Sequence, residues 1–186
     1  MGVLQGKNWI TWVRHIGLPL ALSFSAMMLC AQTSADKAPG QPDSQDACGS
    51  NGVHFKVQTN KKQHPTPPAP EGKAMVYVIQ DQAVGTTGFA MDGKWIGAND
   101  GSSYFFFSVD PGEHRVCSWN TVFGRLFKTP RLDSFNAQPG KVYYFLQTKD
   151  PSMYHSKGYI LSQADPDEAR LLISRSRLAT TEVQQR

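Results

Sequence analysis

The stretch 73–117, KAMVYVIQDQAVGTTGFAMDGKWIGANDGSSYFFFSVDPGEHRVC, constrains the fold more than any other part of the chain. Runs of strand length, rich in β-branched and aromatic residues, alternate there with Gly, Asp and Pro, which predicts four or five short strands. Asp92-Gly93 marks a tight hairpin, because both central positions of such a turn need φ > 0. Asp110-Pro111-Gly112-Glu113 fits a turn with Pro at its second position. The clearest strand is 74–81. Met75, Tyr77 and Ile79 share one face and Val76 and Val78 the other, and both faces are apolar, as in the central strand of a layered structure.

The flanking sequence extends the pattern. Residues 54–59 alternate as a half-buried strand. The segment 64–72 carries four prolines and reads as a stiff, extended connector. Residues 121–131 break the alternation and are expected to form a loop, followed by strands at 131–137, 142–149 and 157–163. Asp165-Pro166-Asp167-Glu168 is a helix start, with Asp as cap, Pro at the first helical position and acids in the first turn. That helix would carry Ala169, Leu171, Leu172 and Ile173 and end near Ser176. The expectation is an all-β fold, a small antiparallel β-sandwich of Ig-like or PEGA-like type over 48–176, with a short C-terminal helix. Residues 177–186 are expected to be a frayed tail.

The N-terminus has the order of an export signal. Lys7 and Arg14 precede an apolar run over 16–29, and small residues follow at Ala31, Thr33, Ser34 and Ala35. The expected cleavage lies between 31 and 35, and the polar segment 32–47 is expected to be a flexible leader. The apolar run is shorter than the ~20 residues a membrane-spanning helix needs. Removing the signal leaves 17 basic against 15 acidic residues. A surplus of two does not suit a nucleic-acid binder, which needs several convergent phosphate contacts. The expected compartment is the periplasm or the secreted fraction.

Cysteine usage refines this expectation. Cys30 is a candidate for acylation at a new N-terminus, the one route by which the chain would be membrane-attached, although Leu29 before it is bulky for that processing. Cys48 and Cys117 remain as an even pair in an oxidising compartment, and a disulfide between them is favoured over two unrelated thiols.

Chemistry-bearing patterns are sparse. His54, His64, His114 and His155 show no metal-ligand spacing. No serine sits in a Gly-x-Ser-x-Gly elbow. Asp100 and Asp110 flank turns, while Asp165, Asp167 and Glu168 are explained by helix capping. The sequence offers no catalytic, cofactor-binding or metal site. Two aromatic runs, 104–107 and 142–146, are bulky on both faces, so something covers the second face. The chain's own helix, the loop after Asn120 and a partner are the candidates. The expected contact surface combines Tyr104 and Phe106 with Phe123, Arg125, Phe127 and Lys128 of that loop. Trp95 and Trp119 are candidates for stacking on sugar rings, and more simply for core or rim packing.

The runs at 70–79 (PEGKAMVYVI), 92–99 (DGKWIGAN), 104–114 (YFFFSVDPGEH) and 139–145 (PGKVYYF) resemble the bacterial exported proteins catalogued as domain of unknown function 2846. More distantly they resemble PEGA-type modules. The resemblance covers roughly 47–176. It implies a small β-sandwich, often exported and sometimes lipidated, and brings no catalytic residues with it. Together these readings point to a non-enzymatic binding or accessory module that meets an unknown protein or envelope component. The alternatives are an envelope-polymer hydrolase and a purely structural subunit.

Overall fold

A central strand buried on both faces organises the molecule. In the computed structural model, residues 48–49, 53–81, 85–122, 125–126, 130–149 and 159–185 are described. The expected signal, Cys30 and the expected leader lie outside them, as do Phe123, Phe127, Lys128 and His155. The strands are β1 (Val53–Asn60), β2 (Ala74–Gln80), β3 (Thr86–Met91), β4 (Lys94–Asp100), β5 (Ser103–Val109) and β6 (Gly112–Val122), then β7 (Arg125–Leu126), β8 (Arg131–Ala137), β9 (Val142–Lys149), β10 (Tyr159–Gln163) and β11 (Arg177–Gln185). One helix, α1 (Pro166–Arg175), precedes β11. The larger sheet has the order β1-β11-β5-β2-β9-β10; the smaller runs β4-β3-β6-β7, with β8 also on β6.

All seven residues of β2 are buried. Val76 and Val78 pack with Phe89, Phe105, Val116, Phe135 and Phe145 between the sheets. Met75, Tyr77 and Ile79 point the other way and pack with Tyr104, Ala169 and Ile173 of α1. This two-sided division follows the alternation in the sequence. At the β3–β4 turn Asp92 and Gly93 take φ of 50° and 76°, as the Asp-Gly signal requires. Asp165 caps α1, accepting from the Asp167 and Glu168 N–H groups at 2.8 and 3.3 Å.

Three expectations are corrected. Of the expected frayed tail 177–186, residues 177–185 instead form β11, which pairs antiparallel with β1 along eight residues and parallel with β5. The domain therefore continues past 176. The larger sheet is mixed rather than wholly antiparallel, because β2 also runs parallel to β9. The segment 121–131 is not all loop: β6 extends to Val122 and pairs with β7.

The second face of the aromatic strands is covered by the chain itself. α1 supplies Ala169, Leu172 and Ile173, Ala164 and Leu178 flank it, and the proline segment adds Ala69 and two carbonyls: Tyr77 and Tyr104 donate to the Pro67 and Pro65 carbonyls at 2.7 and 3.2 Å. Burial pushes both phenols up to about 12, with the neighbouring Tyr144 and Tyr104 adding to the shift at Tyr77. Tyr104 is fully buried, so it cannot belong to a contact surface. Phe106 is half-buried with its ring 5.4 Å from that of Tyr77.

Candidate functional site

The apolar interior stops short of one end of the sandwich. Along β2 the inward positions run Ala74, Val76, Val78 and then Gln80. Gln80 pairs with Ser103 on one side and Gln147 on the other. Opposite them, Thr87 pairs with Asn99 and with Asn120. The two rows form a polar layer across the sandwich, and every member is buried.

Its hydrogen bonds tie the sheets together. Gln147 donates to Ser118 Oγ at 2.8 Å, Asn99 donates to the Val78 carbonyl at 3.1 Å, and Ser103 donates to Asn99 Oδ1 at 3.1 Å. Asn120 donates to Thr87 Oγ1 at 2.6 Å and Gln80 to the Gly85 carbonyl at 3.0 Å. Gln80 Oε1 and Asn120 Oδ1 have no partner.

Beside this layer, where Ser103 follows the β4–β5 turn, lies an open polar cleft of about 530 Å³. Lys61 enters it just beyond β1, Ser102 from the β4–β5 turn, Arg175 from the last residue of α1, and Arg177 from the start of β11. Arg177 reaches this position because β11 pairs with Ser103. Its Nη2 donates to the Asp100 carbonyl at 3.2 Å and its Nε to the Ser102 carbonyl at 3.5 Å, which leaves further N–H donors. Gly101 permits this clamp. Its φ is 58°, and a Cβ there would meet Arg177 Nη2 at 2.7 Å.

The electrostatics are one-sided. Lys61, Arg175 and Arg177 line the cleft together with His64 and serines, and among the described residues no carboxylate does. The four ion pairs among the described residues involve none of these three cations. A helix C-terminus ordinarily presents unsatisfied carbonyls that repel anions. Here the Leu172 and Ile173 carbonyls accept from Ser176 N–H at 3.0 and 3.1 Å, His64 Nδ1 lies 3.2 Å from the Ile173 oxygen, and Ser174 covers the Leu171 carbonyl. Two of the last carbonyls of α1 are thus engaged within the protein.

The residues singled out from sequence are dispersed. Cys48 and Cys117 form a disulfide with Cα atoms 5.2 Å apart, on the outer face of the smaller sheet. Trp95 and Trp119 pack over it with ring centroids 6.3 Å apart, and Phe55 meets Trp95 edge-on, so the indoles shield the bridge. Arg125 lies on β7 of the smaller sheet, whereas Tyr104 lies on β5 of the larger. Among the described residues no group of three or more His, Cys, Asp and Glu side chains gathers as a metal site. The cleft escaped the sequence reading because its residues come from three separated stretches of the chain, and β11, which helps unite them, has a mostly polar sequence. No family model, curated protein or solved structure matches the chain.

Proposed function

We propose that the chain is an exported, non-enzymatic binding module of the cell envelope or the secreted fraction, and that it engages its ligand at the Lys61–Arg175–Arg177 cleft. The observation that carries this reading is three cations, free of ion pairs, around a concavity of ligand size with no acidic lining. The cleft is mounted on rigid elements, since Arg177 is held by the β4–β5 turn and Arg175 by α1. The disulfide supports the exported compartment. So does the N-terminal charge-then-apolar pattern.

The test pairs two measurements on native material. Intact mass of the mature protein from the envelope and the medium is expected to show loss of the N-terminal segment with the disulfide intact. Charge reversal at Lys61→Glu and Arg175→Glu, both exposed, is expected to abolish retention on immobilised envelope material without loss of fold. Retention equal to that of the unaltered protein would end the reading.

A further inference from the structure

We infer that the group held in the cleft is a phosphoryl group, a phosphate monoester or its free dianion, rather than a carboxylate. This rests on the binding reading above and assigns its ligand class. The inference is one of charge and donor count. A carboxylate brings a single charge and would leave two of the three cations uncompensated. A phosphate monoester carries about −1.5 to −2 at neutral pH and three strong acceptor oxygens, which matches a lining made of donors.

The donors come in two kinds. Lys61 and Arg175 are exposed and line the cleft from beyond the end of β1 and from the end of α1. Arg177, half-buried and clamped to the Asp100 and Ser102 carbonyls, presents a fixed guanidinium. Such a planar fork suits paired phosphate oxygens better than an ammonium does. Ser102 and Ser176 also line the cleft. The cleft is larger than one phosphate, so the phosphoryl group is expected to be the anchored end of a larger molecule. A phosphorylated glycan and a phosphate-bearing lipid headgroup share this chemistry.

The experiment uses the full mature chain with its disulfide intact. The ¹⁵N-labelled protein is titrated at constant ionic strength with inorganic phosphate, with acetate, and with phosphatidylcholine vesicles with and without phosphatidic acid. Phosphate is expected to shift the amides of Ser102, Ser176 and Arg177 saturably, and acetate is not. Lys61→Ala and Arg175→Ala are each expected to weaken phosphate about tenfold, as loss of one charge-assisted contact implies, while the core amides of β2 stay in place. Binding only to the vesicles that contain phosphatidic acid points to a lipid source, and free phosphate binding without vesicle binding to a soluble one. Equal shifts with acetate and phosphate, or none with either, overturn the phosphoryl assignment. If envelope retention then still depends on Lys61 and Arg175, the binding reading survives; if it does not, both fall.

Discussion

Asp92 occupies the tight turn between β3 and β4, and its carboxylate also fastens the neighbouring strand. One oxygen accepts from the Arg115 N–H at 2.9 Å and the other lies 2.7 Å from His114 Nδ1. His114 Nε2 faces the Asp110 carbonyl at 2.8 Å. Both partners are acceptors, so only the protonated ring can donate to both. Burial pulls the imidazole pKa down. The hydrogen bonds to Asp92 and Asp110, with the charges of those carboxylates, outweigh it and hold the pKa above 6.5. The folded pKa is the higher one, so the stability that His114 contributes is fully present below pH 6.5 and is lost as pH rises through the folded value. His114→Gln is expected to be clearly destabilising near about pH 5.5 and much less so near about pH 8.5. Urea midpoints at the two pH values decide this, and a gap of the same size at both would show that the ring contributes only packing.

Strand β11 is the element whose existence depends least on its own sequence. Residues 180–185 read TTEVQQ, without apolar alternation, and Val183 remains 40 % exposed. Backbone pairing with β1 and, at Arg177 and Leu178, with β5 orders it, Ala179 joins the core, and Thr181 Oγ1 accepts from the Ala98 N–H at 2.9 Å and donates to the Ala98 carbonyl at 2.8 Å. That hydroxyl substitutes for a strand partner on the edge of β4. Thr181→Val keeps the shape and leaves two backbone groups unpaired, for an expected loss of about 1–3 kcal/mol. A frayed tail would show no loss in a denaturant titration. The contrast with β2 explains what the sequence makes legible. Strands that meet apolar layers carry their burial pattern in their residues, and the Asp-Gly and Asp-Pro signals name their own turns. A strand recruited by a distant edge carries no such pattern, and neither do the parallel pairings or the cleft that β11 completes. The polar layer had a weak signal, since Gln80 and Gln147 end otherwise apolar inward rows. Within it Gln147 bridges Asn99 and Ser118, whereas Gln80 holds a single loop carbonyl. Gln147→Met is therefore expected to cost about 1–3 kcal/mol and Gln80→Met distinctly less. Equal costs would mean that the layer is not the tie between the sheets.

Across the whole molecule, the disulfide joins points 69 residues apart, from just before β1 to the middle of β6. Residues 48–49 pair with no strand, so the bridge holds little native architecture that the sheets do not hold themselves. Its main effect falls on the unfolded chain, where closing a loop of that length removes conformational freedom equivalent to about 4 kcal/mol. Two consequences can be separated. The variant with both Cys48→Ala and Cys117→Ala is expected to keep the dispersed amide spectrum of the sandwich, because alanine at the buried 117 position introduces no unpaired polar group. It is also expected to lose about 4 kcal/mol of unfolding free energy, and that loss should appear alike in every slowly exchanging amide, in β2 and β9 as much as in β6. Hydrogen exchange reads this directly. Protection lost only around Cys117, Trp95 and Trp119, with β2 and β9 unchanged, would place the effect in local native packing and reject the unfolded-state account. A uniform loss would make the oxidised cysteine pair a condition of full stability for this fold.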